Sequence, residues 1–172
     1  MDEAKFWKII GAGGKRVQED PDEQLEAIEE KLATCSPDEL VAFQEKLDTL
    51  LIQAYTNDLW GAGYLMNGGC SDDLFLYFRA WVISRGQKVF EAAIANPDSL
   101  AKLADPDRDD LELEELMYLA PRLYEEAVGS EMPRAKRKWP KKPHGKAWDY
   151  DDDEAVRKHL PKLAAAYLNE AD

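Results

Sequence analysis

The stretch from Asp58 to Arg79 gathers most of the side chains that could do chemistry. It holds Asp58-Leu59-Trp60-Gly61, then Asn67-Gly68-Gly69-Cys70-Ser71-Asp72-Asp73, then Phe78-Arg79-Ala80-Trp81. Arg79 sits among apolar neighbours, and a guanidinium cannot be buried alone without heavy cost. It needs a carboxylate, backbone carbonyls or an anionic ligand. Asp72 lies about two helical turns before it, and Asp58 comes from the preceding element. A structural Arg–Asp bridge holding two helices together is the plain reading. The functional reading is an enzyme pocket formed by Asp58, Asp72 and Arg79 around a small anionic or polar substrate, with Trp60 and Cys70 beside them. Asn67 and Asp73 complete the polar candidates.

Asn67-Gly68-Gly69 ahead of a helix resembles an anion nest, because glycines let backbone amides converge on a ligand. Two acids in the first turn would repel phosphate, no Gly-Lys-Ser/Thr ending follows, and no strand precedes the glycines. A tight turn with ordinary capping is expected instead. The helix dipole could depress the Cys70 thiol, but the neighbouring acids oppose it. His144 and His159 lie far along the chain, so a small buried side chain is the simpler role. Two Cys and two His at unrelated spacings match no zinc pattern. The acidic run Asp149 to Glu154 lacks the spacing of a calcium loop and reads as a solvated helix start. The expectation is no metal and no cofactor.

The second feature is a segment of one sign. Arg134, Lys136, Arg137, Lys138, Lys141, Lys142 and Lys146 stand together with Trp139, Pro140 and Pro143 and no acid among them. The prolines make this a loop, at about 130–148. The whole chain has 22 basic and 35 acidic residues and a net charge of −13. Setting these seven aside leaves 15 basic residues against all 35 acids, so a body at −20 carries a loop at +7. Trp139 and Trp148 near such cations could grip phosphates or stack a base. The field of the acidic body opposes a polyanion, so nucleic acid is not the favoured partner. A latch onto the protein's own acidic surface is at least as plausible as a polyanion, and an interaction loop for a protein partner or small ligand, or simple solubility, stands ahead of nucleic acid.

The elements that must position these residues are helical. Residues 2–17 carry Phe6, Ile9, Ile10 and Val17 at helical spacing, with glycines from Gly11 that end or bend the helix. Leu25, Ile28 and Leu32 mark a helix over 22–34. Ser36-Pro37-Asp38-Glu39 is a capping-box start, followed by Leu40, Phe43, Leu47, Leu50 and Leu51 on one face. Residues 59–66 form a short buried helix broken by Asn67-Gly68-Gly69. Ser71 caps a helix that is apolar all round from Leu74 and belongs in the middle of a bundle. Further helices follow at 89–94, 113–128 and 153–169, the last interrupted at Pro161. No strand pattern and no repeat is evident. The 172 residues, 45% of them hydrophobic, suit one core. The expected fold is all-α, a single domain over 1–172 with six to eight helices around the central helix at 71–85.

No 18-residue apolar run exists, which excludes a transmembrane helix. The opening residues carry no leader pattern and two cysteines make no disulfide framework, so a cytoplasmic location is expected.

Asp58-Leu59-Trp60-Gly61-Ala62, the run Tyr64 to Asp73, and Phe75-x-Tyr77-Phe78-Arg79-x-Trp81-x-Ile83-x-x-Gly86 resemble the bacterial family of domains of unknown function numbered 4240. Phe6-Trp7, Asn96-Pro97-Asp98-Ser99-Leu100 and, more loosely, Leu160-Pro161-Lys162-Leu163 resemble it too. The resemblance spans most of 3–128. It implies a cytoplasmic bacterial protein with a site between Asp58 and Arg79, but no role for any residue. The family has no established activity, and its relatives occur in regulatory and conflict-system contexts. The lack of a credible nucleophile–base pair or metal set, alongside a strongly polarised surface, makes a non-enzymatic binding or regulatory module, with a groove beside the central helix, the first functional expectation; the Asp58–Asp72–Arg79 enzyme is the alternative.

Overall fold

The computed structural model describes residues 1–14, 20–134 and 138–168. Among them the protein is all-α, with nine α-helices and one 3-10 helix and no named strand. The helices are α1 (Glu3–Ile10), α2 (Pro21–Leu32), α3 (Pro37–Gln53), α4 (Asn57–Met66), α5 (Asp72–Ser84) and α6 (Gln87–Ala95). The 3-10 helix (Pro97–Leu103), α7 (Leu116–Val128), α8 (Asp153–His159) and α9 (Pro161–Tyr167) follow. None of the helices among the described residues is long and apolar enough to cross a membrane.

Local chemistry sets most boundaries. Asp2 caps α1, which ends at Gly11; Val17, the last position of the expected stripe, lies outside the described residues. Ser36 and Glu39 form the reciprocal capping box at the start of α3, with Pro37 in its first turn. Thr56 caps α4 and Ser71 caps α5. Between them Gly68 (φ 62°) and Gly69 (φ 134°) take backbone angles that a side chain would strain, which ends α4 within one turn. The expected helix from 153 divides at Pro161, because Leu160 is pushed out of the helical region. The α9 start has no cap of its own. Asp98 of the 3-10 helix supplies one, accepting from the Lys162 and Leu163 amides at 2.9 Å each.

One apolar cluster takes buried side chains from α1 to α7 and from α9. Its largest members include Phe6, Phe43, Phe75, Phe78 and Phe90, all fully enclosed. As its composition demands, α5 runs through the middle, with Phe75 and every residue from Phe78 to Ser84 buried. Helix α4 packs beside it with two glycines turned to different neighbours. A Cβ on Gly63 would come within 2.9 Å of the Phe78 ring, so Gly63 sets the close approach of α4 to α5. Gly61 faces a different side chain, Trp148. Each glycine costs a helix roughly 1 kcal/mol, and here both make room for an aromatic ring.

Candidate functional site

Arg79 is 5% exposed. Its chain runs back along α5, so Nε donates to the Phe75 carbonyl at 3.2 Å and Nη1 reaches the Leu51 carbonyl at 2.7 Å. Leu51 lies in the last turn of α3, where carbonyls lack intrahelical partners and the helix dipole is negative. The guanidinium also lies over the Tyr55 and Phe75 rings, 4.7 and 4.8 Å from their centroids. Burial lowers its pKa to about 10, which leaves it charged at neutral pH. The expected carboxylate partner is therefore replaced by backbone carbonyls and aromatic faces. Arg79 does tie two helices together, but by capping the C-terminus of α3.

The acids point elsewhere. Asp72 and Asp73 are exposed in the first turn of α5 and make no ion pair among the described residues. Solvation and the positive end of the helix dipole satisfy them there. Asp58 is half exposed and accepts the Trp148 indole N–H at 2.8 Å, with His159 Nδ1 3.5 Å away. Asp58, Asp72 and Arg79 are thus not brought into one charged cluster.

Trp60, Asn67 and Cys70 serve the framework. Trp60 stacks on Phe75 with centroids 4.7 Å apart and donates to the Cys70 carbonyl at 2.9 Å. Asn67 is buried. It donates to the Gly63 carbonyl at 3.2 Å and accepts the Leu111 amide at 2.9 Å, pinning the segment before α7 to the end of α4. The Cys70 thiol is pushed up to about 12, chiefly by burial, with Arg79 opposing and Asp72 adding to the rise. It is a thiol rather than a thiolate, the state that suits packing and not nucleophilic attack. Among the described residues no group of three or more His, Cys, Asp or Glu side chains is placed to hold a metal ion.

Residues 144–151 form a strap that lies against α4. His144 exchanges backbone hydrogen bonds with the α3–α4 junction, donating to Tyr55 and accepting from Asn57, both at 2.8 Å. The Asn57 amide group donates to the Gly145 carbonyl at 2.9 Å and accepts the Tyr150 hydroxyl at 3.2 Å. Tyr64 donates to Asp151 at 2.7 Å. Trp148 fills the gap over Gly61, where a Cβ would lie 2.3 Å from its ring. His159 stacks on one face of that indole at 4.5 Å, and Tyr150 meets it edge-on at 4.7 Å. Trp148 is therefore not free to stack a base beside the loop cations, as its place in the sequence suggested. Burial and Asp58 push the Tyr150 hydroxyl up to about 12, so it remains a donor. Only the unusual glycine content of α4 hinted that something packs closely there.

The basic loop is the opposite case. Arg134, Lys138, Lys141, Lys142 and Lys146 are exposed and make no ion pair among the described residues; Lys136 and Arg137 lie outside them. Trp139 is 46% exposed. A latch of these described cations onto the acidic body is not formed. A further feature absent from the sequence reading is an open cavity of about 450 Å³ between α1 and the end of α2, bordered by Lys5, Lys8, Lys31, Thr34 and Cys35. Lys5 is held there by Glu39.

These features define an all-α bundle with an arginine capping a helix at its centre, one helix face covered by a C-terminal strap, and an exposed basic loop. Residues 1–126 match the family described as protein of unknown function (DUF4240), and the chain belongs to that family. No curated protein is similar to it, and no solved structure matches it.

Proposed function

We propose that this protein is a non-enzymatic binding module, regulatory in role, that engages an acidic protein partner through the loop from Arg134 to Lys146 in a bacterial cytoplasm. The observation that carries this reading is the loop itself. Its described cations are exposed and unpaired, and an exposed Trp139 stands among them. Trp and Arg are enriched where interfaces concentrate their energy, and the exposed lysines add the charge that steers an acidic partner to the loop. Like charge on the partner and the body limits contact to the loop, since screening reduces their repulsion beyond about 8 Å at physiological salt.

The enzyme alternative asks for Arg79 to face a substrate together with Asp58 and Asp72. Arg79 instead directs its charge at carbonyls, so that reading has lost its anionic-substrate anchor.

Pull-down from extract of the native host at low and high salt tests the proposal, using the full chain beside the variant Lys138→Glu/Lys141→Glu/Lys142→Glu. A protein captured at low salt, released at high salt and missed by the variant supports it. Equal capture by the variant sinks it. Salt-sensitive retention on a polyanion column without any captured protein would favour nucleic acid instead.

A further inference from the structure

The contacts between α4 and residues 144–151 resemble those of a bound peptide more than those of a core. The true core anchors of the C-terminal region, Leu160 and Leu163, are enclosed and apolar. The strap lies at the surface, with Trp148 and Tyr150 only partly buried and Asp58 half exposed beneath them. It is held by directional groups: one short stretch of backbone pairing at Thr56 and His144, an indole N–H on Asp58, and a phenol on Asn57. This combination, main-chain bonds for affinity and pockets for alternate side chains for specificity, is how extended peptides are recognised. The chain also divides at the right place. The groove residues Asn57, Asp58, Gly61 and Tyr64 fall within the stretch that matches the family, whereas the strap lies beyond residue 126. Pro133, Pro140 and Pro143 lie in the sequence between the two.

We propose that the α4 face is a binding groove for an extended segment bearing a Trp-x-Tyr pair, and that residues 144–151 are its tethered occupant. The partner is a segment of another protein with that aromatic spacing, whose indole enters the notch over Gly61 and donates to Asp58. The tether supplies the strap at an effective concentration of order mM, so an outside segment must match its chemistry to displace it. The groove uses none of the loop cations and does not depend on the partner proposed for them.

A fluorescently labelled peptide of residues 142–152 tests this by anisotropy against the full chain. Trp148→Ala takes the indole out of the notch and weakens the hold of the strap, so that a peptide keeping its Trp displaces it from the groove, while the α8–α9 anchors stay in place. The peptide is expected to bind this variant saturably and at least ten-fold more tightly than it binds the unaltered protein. Gly61→Ala added to Trp148→Ala should abolish binding, because the methyl group fills the empty notch without meeting a ring. The same peptide carrying Trp148→Ala should not bind. No saturable binding to the folded variant, or binding indifferent to Gly61 or to the peptide's Trp, overturns the proposal and makes the strap ordinary packing. If Trp148→Ala lacks a cooperative thermal transition, Trp148→Phe replaces it, since a phenyl ring leaves the Asp58 carboxylate without its donor.

Discussion

Arg79 donates to the carbonyl of Leu51 at 2.7 Å, so the one cation of the central helix completes the end of another helix. Helix α3 has no basic residue in its last turn. Arg79 supplies from α5 the positive charge that such a terminus favours. The two rings over which the guanidinium lies, Tyr55 and Phe75, come from the segment after α3 and from α5. One side chain thereby fixes the spacing and register of two core helices.

Replacing Arg79 by Met should cost about 2–3 kcal/mol, since a charged hydrogen bond is lost and a buried carbonyl is left unpaired. Lys keeps the charge but not the planar fork that stacks and donates together, so Arg79→Lys should recover only part of this. Urea unfolding of both variants measures it. A loss below 0.5 kcal/mol for Arg79→Met, in the range usual for surface positions, would show that the guanidinium is not a structural cap.

Asn67→Ala should leave the Leu111 amide buried without an acceptor, at a cost of about 1–3 kcal/mol. The local readout is more specific than the global one. Hydrogen exchange at Leu111 should accelerate well beyond the average of the core amides. Uniform acceleration across the protein would mean that Asn67 does not pin that segment.

Cys70, with its thiol pushed up to about 12 by burial, should resist alkylation at pH 8. Cys35 is also raised by burial, but the nearby Lys5 ammonium opposes the shift. Mass spectrometry after a timed iodoacetamide pulse should find Cys35 labelled first. Labelling of Cys70 at the rate of a free thiol would contradict its packed setting.

Glu39 reports on acid stability. Its hydrogen bond with Lys5, and then the Ser36 amide, lower its pKa from 4.5 to about 2. A carboxylate whose pKa is depressed on folding contributes stability that is fully present above its unfolded value and lost as pH falls through its folded one. The difference in melting temperature between the unaltered protein and Glu39→Gln should therefore be constant above about pH 5 and close toward pH 2. A difference unchanged across that window would mean that the Lys5–Glu39 pair does not discriminate the charged form.

The helices were legible in the sequence because their signals are local. Ser36 and Glu39 act across one turn, Gly68 and Gly69 permit backbone angles at their own positions, and the apolar run through α5 can be accommodated only at a centre. Pro161 divides the last helical stretch for the same kind of reason. The rest was decided between segments far apart in the chain. Burial required Arg79 to have a partner, yet only the packing of α3 against α5 determined that it was a carbonyl of Leu51 rather than Asp58 or Asp72. The glycines of α4 weaken a helix when read alone. Their purpose follows only when Phe78 and Trp148 are placed against them, because a missing side chain does not name the ring that fills its space.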